Sequence, residues 1–361
     1  MNYEELLNIK IKKPDDSVYR TVKKGWDRIS KPLDGLGDFE ELICRIAAIR
    51  GTENPTIEKR TAVIFCSDNG IVDEGISQST KEITKSVAIA LGSGISSACT
   101  LAKSAGVTVL PVDVGIDCDE KIEGVRDMKV SKGTRNFLKE PAMTEEEVLK
   151  AIEAGMNVVK ELSEQGVEII STGEMGIGNT TTSAAVLSEI LEIDSDMVTG
   201  RGAGLDDDGL LRKKQVIKEA CEKYNFDAWK DSDGRECDRA FKVLQTLGGL
   251  DIAALTGTFI GGALNNIPIV IDGVISATAA LVADRLIPGV KDYAIASHQG
   301  REAGCLLALK ELDLPTYICG NMALGEGTGA LMLFPVLDMV LDFYNNAAKF
   351  SDYKIDEYQR F

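Results

Sequence analysis

Four things are missing from this chain of 361 residues: a C-x-x-C pair, a second histidine, an apolar run of bilayer length, and enough basic residues to balance the acids. The eight cysteines (Cys44, Cys66, Cys99, Cys118, Cys221, Cys237, Cys305, Cys319) stand at spacings of 14 or more, which excludes the close pairs of zinc and redox sites and reads as reduced thiols, mostly in the core. With His298 as the only histidine, a Ser-His-Asp or Cys-His apparatus needs that residue, and its neighbours Ser297 and Gln299 suggest no nucleophile. His298 is expected to be a hydrogen-bonding loop residue. Forty Lys plus Arg against 57 Asp plus Glu leave a net charge of −17, which repels phosphate backbones and anionic lipid and argues against a nucleic-acid partner. No run approaches the ~20 apolar residues of a bilayer span, and residues 1–13 are polar and mixed in charge, unlike a secretory leader, so no membrane association and a cytoplasmic location are expected.

What is present is ordinary globular material, 44% hydrophobic and 27% charged, long enough for one large or two interlocked domains. The first fifty residues have helical periodicity, broken at Lys31-Pro32-Leu33-Asp34-Gly35-Leu36-Gly37, where Pro and Gly end one helix and Asp38 can cap the next. From residue 61, β-branched runs (61–66, 107–112, 167–171, 267–271 and, more weakly, 293–296) alternate with helical stretches. That alternation predicts an α/β fold with a parallel sheet covered on both faces. A last apolar helix is expected over residues 328–348, returning to the N-terminal helices. No internal repeat or low-complexity tract occurs.

In such sheets ligands bind at the carboxyl ends of the strands. The segments that follow the runs are Ser67-Asp68-Asn69-Gly70, Thr172-Gly173-Glu174-Met175-Gly176-Ile177-Gly178-Asn179-Thr180-Thr181, and Asp272-Gly273. Gly176, Gly178, Asn179 and Thr180 open a helix and offer N–H groups, hydroxyls and a positive dipole end, either as a phosphate site or as a helix cap. The segment is neither a Walker motif nor a G-x-G-x-x-G fingerprint. A second cluster, Gly200-Arg201-Gly202-Ala203-Gly204, runs through Asp206-Asp207-Asp208 into a helix with Arg212, Lys213 and Lys214. Lys213 reads equally as an anion ligand or as part of a solvated face, and the aspartates read as helix-capping groups, with Mg²⁺ ligation the rarer use. Glu326, between Gly325 and Gly327 and beside Met322 and Leu324, is a general base if desolvation raises its pKa, and otherwise a solvated turn residue. Glu174 carries the same ambiguity.

Taken in order, the segment from Lys31-Pro32 to Glu40, Ser67 to Gly70 with Asp73-Glu74-Gly75-Ile76-Ser77-Gln78-Ser79, the loop from Gly173 to Thr181, Leu247-Gly248-Gly249-Leu250-Asp251, Ile271-Asp272-Gly273, Ser297-His298 and Leu324-Gly325-Glu326-Gly327 resemble the nicotinate-nucleotide:dimethylbenzimidazole phosphoribosyltransferase family. The resemblance implies a Rossmann-like large domain over residues 59–330, a small helical domain from residues 1–58 with 331–361, and a homodimer. It implies no metal and no cofactor. The implied substrates are nicotinate mononucleotide and a benzimidazole-type base, joined in cobalamin nucleotide assembly. Glu326 matches the family's general base, and Glu174 is placed against the reacting ring. Gly176, Gly178, Asn179, Thr180, Gly202, Lys213, Asp272 and Gly273 are implied to hold phosphate and ribose, and Ser79, Met322 and Leu324 to flank the base. Two departures stand out: Lys85-Ser86-Val87 where the family often has a glutamine, and Gly300 with Arg301, a candidate phosphate ligand, before Glu302. The readings that stand beside this one are a Mg²⁺-dependent transferase of a pyrophosphorylated sugar and a non-catalytic nucleotide-binding protein.

Overall fold

The computed structural model describes residues 1–226 and 235–360. At its centre is a six-stranded sheet of β1 Arg60–Ser67, β2 Thr108–Gly115, β3 Arg126–Asp127, β4 Ile169–Met175, β5 Ile269–Ile271 and β6 Ala294–Ala296, in the order β3-β2-β1-β4-β5-β6 with every pairing parallel. All five expected runs form strands. The short β3, Arg-Asp, has no apolar pattern by which to be found. A separate parallel pair, β7 His298–Gly300 and β8 Ile318–Met322, was also not expected.

The strands read as continuous apolar runs because alternate side chains enter two different cores. Val63, Phe65, Val112, Val114, Ile170 and Ile271 face one, under helices Glu145–Glu164, Leu250–Asn265 and Val274–Leu286. Ala62, Ile64, Cys66, Ile169, Val270 and Ile295 face the other, under Asp16–Arg28, Asp38–Arg50, Ser97–Ser104 and Phe334–Asn346. Helices from both chain ends therefore share one face. Trp26 packs on Tyr344 with ring centroids 4.8 Å apart, and the Ser30 N–H donates to the Ala348 carbonyl at 2.9 Å. The Lys31–Glu40 segment closes on itself through a buried ion pair of 2.6 Å. We propose that these terminal helices form the small unit expected from the sequence, beginning at Asp16. The first helix, Tyr3–Leu7, docks instead on the opposite core, its Tyr3 ring 4.6 Å from that of Phe241.

The expected last helix is two, Thr328–Leu331 and Phe334–Asn346, because Pro335 cannot continue an incoming helix but fits the first turn of a new one. Residues 82–104 are apolar enough for a membrane span but are likewise two helices, Glu82–Gly92 of 11 residues and Ser97–Ser104 of 8, turned at Gly94 with φ +74°. Neither reaches the ~20 residues a span requires.

Strand order reverses between β1 and β4. In doubly wound sheets the crevice outside the carboxyl ends of the strands at such a reversal is where ligands bind. The loops that meet there are residues 68–70 and 176–178.

Candidate active site

The turn after β4 begins with contacts only glycine allows: a methyl group at Gly176 would lie 2.4 Å from the Ser67 carbonyl oxygen and 2.9 Å from Asp251 Oδ2. Gly178, at φ +94°, then starts the helix Asn179–Leu191 with no side-chain cap. An uncapped helix start presents N–H groups to an anion. Beside it Lys213, on the helix Asp207–Tyr224 and 1% exposed, donates from Nζ to Thr180 Oγ1 at 2.8 Å. Gly202, at φ +55°, closes over this pair, since a methyl group there would sit 2.7 Å from Thr180 Oγ1 and 3.4 Å from Lys213 Nζ. Burial lowers the Lys213 pKa to about 8, and the nearby Glu302 carboxyl partly opposes that shift. The side chain therefore changes charge close to neutral pH.

A group of carboxyls adjoins this positive end. Glu174, near the end of β4 and 8% exposed, has its pKa raised well above the ordinary range by burial first and then by Asp251, Asp272 and Glu326; the Asn179 amide acts in the opposite direction. Asn179 Nδ2 donates to Glu174 Oε2 and, at 3.4 Å, to Asp251 Oδ2. Asp251 is 0% exposed, its pKa pushed up to about 6 by burial.

Glu326 sits at φ +57° between Gly325 at +86° and Gly327 at +81°. A non-glycine residue in this region costs about 1–2 kcal/mol, so the surroundings must impose the conformation. Asp272 does so: its Oδ2 accepts the Gly327 N–H at 3.2 Å and its Oδ1 the Ala330 N–H at 3.0 Å. His298, expected in a loop, instead opens β7 and is buried; its Nδ1 lies 2.9 Å from Ser297 Oγ, and its ring packs against Gly329. The loop also rests on β4, where a methyl group at Gly173 would lie 3.0 Å from Gly327 Cα. Desolvation raises the Glu326 pKa; the carboxyl accepts the Ala98 N–H, and its buried Oε2 has no partner. The solvated-turn alternative for Glu326 does not fit this burial.

A profile of the phosphoribosyltransferase family DBI_PRT matches residues 11–355. The chain is 42% identical over 348 residues to the nicotinate-nucleotide–dimethylbenzimidazole phosphoribosyltransferase of Acetivibrio thermocellus, covering 96% of this chain and 95% of that one. It is 40% identical over 359 residues to the enzyme of the same name from Ruminiclostridium cellulolyticum, covering 99% of each. The crystal structure of CobT from Thermus thermophilus superposes with a TM-score of 0.87 at 30% identity, over 94% of this chain and 99% of that one. The chain belongs to this phosphoribosyltransferase family.

Within that family's expected site, the structure brings Glu174, Gly176, Gly178, Asn179, Thr180, Gly202 and Lys213 together, with Glu326 against Glu174. Gly273 starts the helix Val274–Leu286 with open space around it. Asp272 accepts one N–H on each oxygen, from Gly327 and from Ala330 of the helix Thr328–Leu331. Met322 ends β8 half-buried, and Leu324 is 58% exposed. Ser79 lies before the helix Glu82–Gly92, whose Thr84 Oγ1 accepts the Ile177 N–H at 3.2 Å, tying that segment to the anion loop. Lys85 pairs with Glu120 at 3.0 Å. Arg301 donates to the Asn321 carbonyl at 3.2 Å. Asp206 caps its helix through the Gly209 N–H at 2.8 Å, whereas Asp207 pairs with Arg201. Among the described residues no group of three or more His, Cys, Asp or Glu side chains is placed to hold a metal.

Asp251 and the clamping role of His298 were not anticipated. The helix Leu250–Asn265 is buried almost all round, so its one acid had to be buried too, and that was the available signal. A methyl group at Gly329 would lie 2.0 Å from His298 Cε1. Gly329→Ala should therefore displace the Glu326 loop and lower turnover roughly 10²-fold, the usual effect of a misplacement near 1 Å, while nucleotide binding survives. Steady-state kinetics beside a nucleotide titration check this, and wild-type turnover would refute the clamp.

Proposed function

We propose that the protein transfers the 5-phosphoribosyl group of nicotinate mononucleotide to 5,6-dimethylbenzimidazole or a related base, releasing nicotinate and forming α-ribazole 5'-phosphate for cobalamin nucleotide-loop assembly. The observation that carries this reading is the Glu326 carboxyl, held in a left-handed loop with one buried oxygen unpartnered, beside an uncapped helix start and a buried lysine. The phosphate belongs at Thr180 and Lys213, and the ribose near Gly273. The base lies by Glu326, flanked by Ser79, Met322 and Leu324.

The chemistry asks little more. A lone pair on one nitrogen of the azole attacks C1′ from the face opposite nicotinate. The C1′–N bond of the pyridinium breaks with its electron pair going to the ring nitrogen, so nicotinate leaves without a charge on that atom and the anomeric carbon inverts. The azole ring becomes cationic as the new bond forms, and its N–H proton passes to Glu326. Acceptance by a carboxylate within about 3 Å typically contributes ~10²–10⁴-fold, and alignment of the two substrates supplies up to about 7–11 kcal/mol more. Glu174 faces the ring and answers its developing positive charge.

Glu326→Gln keeps the shape of the loop but cannot take the proton. Turnover should fall at least ~10²-fold with nucleotide affinity retained; near-normal turnover would remove Glu326 from the mechanism.

Lys213 gives a pH signature. Its pKa is depressed to about 8, so it is charged below that pH and neutral above it. The KM for nicotinate mononucleotide should rise as pH passes about 8, and Lys213→Ala should show a raised KM throughout without that rise. The KM for the azole should change less. Equal effects on both substrates would count against a phosphate role.

We also read the protein as a cytoplasmic homodimer. Support for the dimer comes from apolar side chains left in the open, among them Ile95 at 75% exposure and Leu324 at 58%. Sedimentation equilibrium should give twice the chain mass of 38.9 kDa, and a species at the single-chain mass would refute the dimer.

A further inference from the structure

Asp251 has no part in the reaction as written, yet it is wholly buried against the site. Its Oδ1 accepts the Ile252 N–H at 2.9 Å, and its Oδ2 receives one of the two hydrogens of the Asn179 amide at 3.4 Å. The same nitrogen donates to Glu174 Oε2. The amide therefore turns its NH₂ toward both carboxyls and its oxygen away. With Glu174 alone as neighbour, the amide would be free to give its hydrogens elsewhere. A third polar group, Asn69 on the loop after β1, also hydrogen-bonds Asp251. A methyl group at Gly249 would come within 2.4 Å of Asp251 Oδ1, so the glycine in the turn before the helix is what leaves room for the carboxyl there.

We propose that Asp251 is a positioning residue which, through the shared amide of Asn179, fixes the orientation of Glu174 toward the reacting ring. This rests on the phosphoribosyl-transfer reading and on the place of Glu174 in it. The arrangement resembles the outer carboxylates that orient ligating side chains in metal sites, whose removal typically costs 10–100-fold.

Charge is affected as well as orientation. Glu174 is faced by Asp251 from the helix Leu250–Asn265, by Asp272 from the end of β5 and by Glu326 from its loop, with Asn179 as the neutral donor. His298 stands against Asp272, Lys213 reaches Thr180 beside the amide, and the buried Cys66 thiol of β1 feels both Glu174 and Asp251. A negative neighbour disfavours ionisation of Glu174, so neutralising Asp251 makes Glu174 easier to ionise.

The test compares Asp251→Asn, Glu174→Gln and the double variant, assayed from pH 5 to 9 with nicotinate mononucleotide and dimethylbenzimidazole. Asp251→Asn should lower kcat at least ~10-fold with little change in the KM for nucleotide, and should move the acid limb of kcat to lower pH. In the Glu174→Gln background the same substitution should have little further effect, because its route through Glu174 is gone. An unmoved acid limb, or the same fall in kcat with and without Glu174, overturns the proposal. If Asp251→Asn does not fold, Asp251→Glu takes its place: the charge stays but the reach changes, so kcat should fall while the acid limb stays, and unchanged kcat overturns the proposal. Wild-type protein that forms no α-ribazole phosphate would sink the phosphoribosyl-transfer reading instead, a result separable from any of these.

Discussion

Burying several carboxyl groups around one crevice is the demanding feature of this molecule, and the fold around it is arranged to make that tolerable. A carboxylate removed from water is strongly destabilised unless hydrogen bonds replace its hydration or a proton neutralises it. Both remedies are present. Asp272 is held by the Gly327 and Ala330 N–H groups, Asp251 by the Ile252 N–H and the Asn179 amide, and Glu174 by that same amide. Where bonds do not suffice, protonation becomes easier, and the raised pKa values of Glu174, Asp251 and Glu326 express this. Stability and function are linked here, since the burial that makes a carboxyl hold its proton more tightly also makes it a better acceptor for the proton of a heterocycle.

Glycine makes the close approaches possible. The Glu326 loop lies on β4 only because both Gly173 and Gly327 lack side chains, and the anion loop lies on Asp251 only because Gly176 does. Each approach brings a backbone from one element against a functional group of another. The three consecutive left-handed residues at 325–327 complete the design: two are glycines at little cost, and the middle one is the acid proposed above as the base. Strain confined to one functional residue, and imposed by bonds from a separate strand end, is what pre-organisation demands.

How much of this was legible in the sequence depended on whether a signal was local. Strand runs such as residues 61–66 and 267–271 announced themselves because both faces of a parallel sheet are apolar. The Gly176 to Thr180 turn was visible because it joins a strand to a helix within a few residues. Glu326 was ambiguous on its own, since a glycine-flanked acid is equally at home in a solvated turn; its burial depends on Asp272, which is 54 positions earlier, and on His298. Asp251 stood out only as part of a longer motif, because its partner Asn179 is 72 positions away and nothing nearby implies the contact. β7 and β8 were missed because Cys319, Gly320 and Asn321 are exposed and carry no strand pattern.

The two ends of the site have opposite electrical character, and this bears on how a substrate enters it. Lys213, Thr180 and the start of the helix Asn179–Leu191 favour an anion, whereas Glu174 and Glu326 favour a cation or a donor of a proton. The two characters meet at Asn179, whose amide donates to Glu174 and whose helix start adjoins the Thr180–Lys213 pair. Nicotinate mononucleotide has a phosphate at one end and, at the other, a pyridinium whose charge is balanced by its own ring carboxylate, so the phosphate is the group that the positive pole selects. In the reaction proposed above, a phosphate held at the positive pole sets the ring against the acids, with C1′ of the ribose next to the ring. In a chain with a net charge of −17 the positive pole is the exception, so a phosphate is drawn to one place and the reacting carbon follows from it.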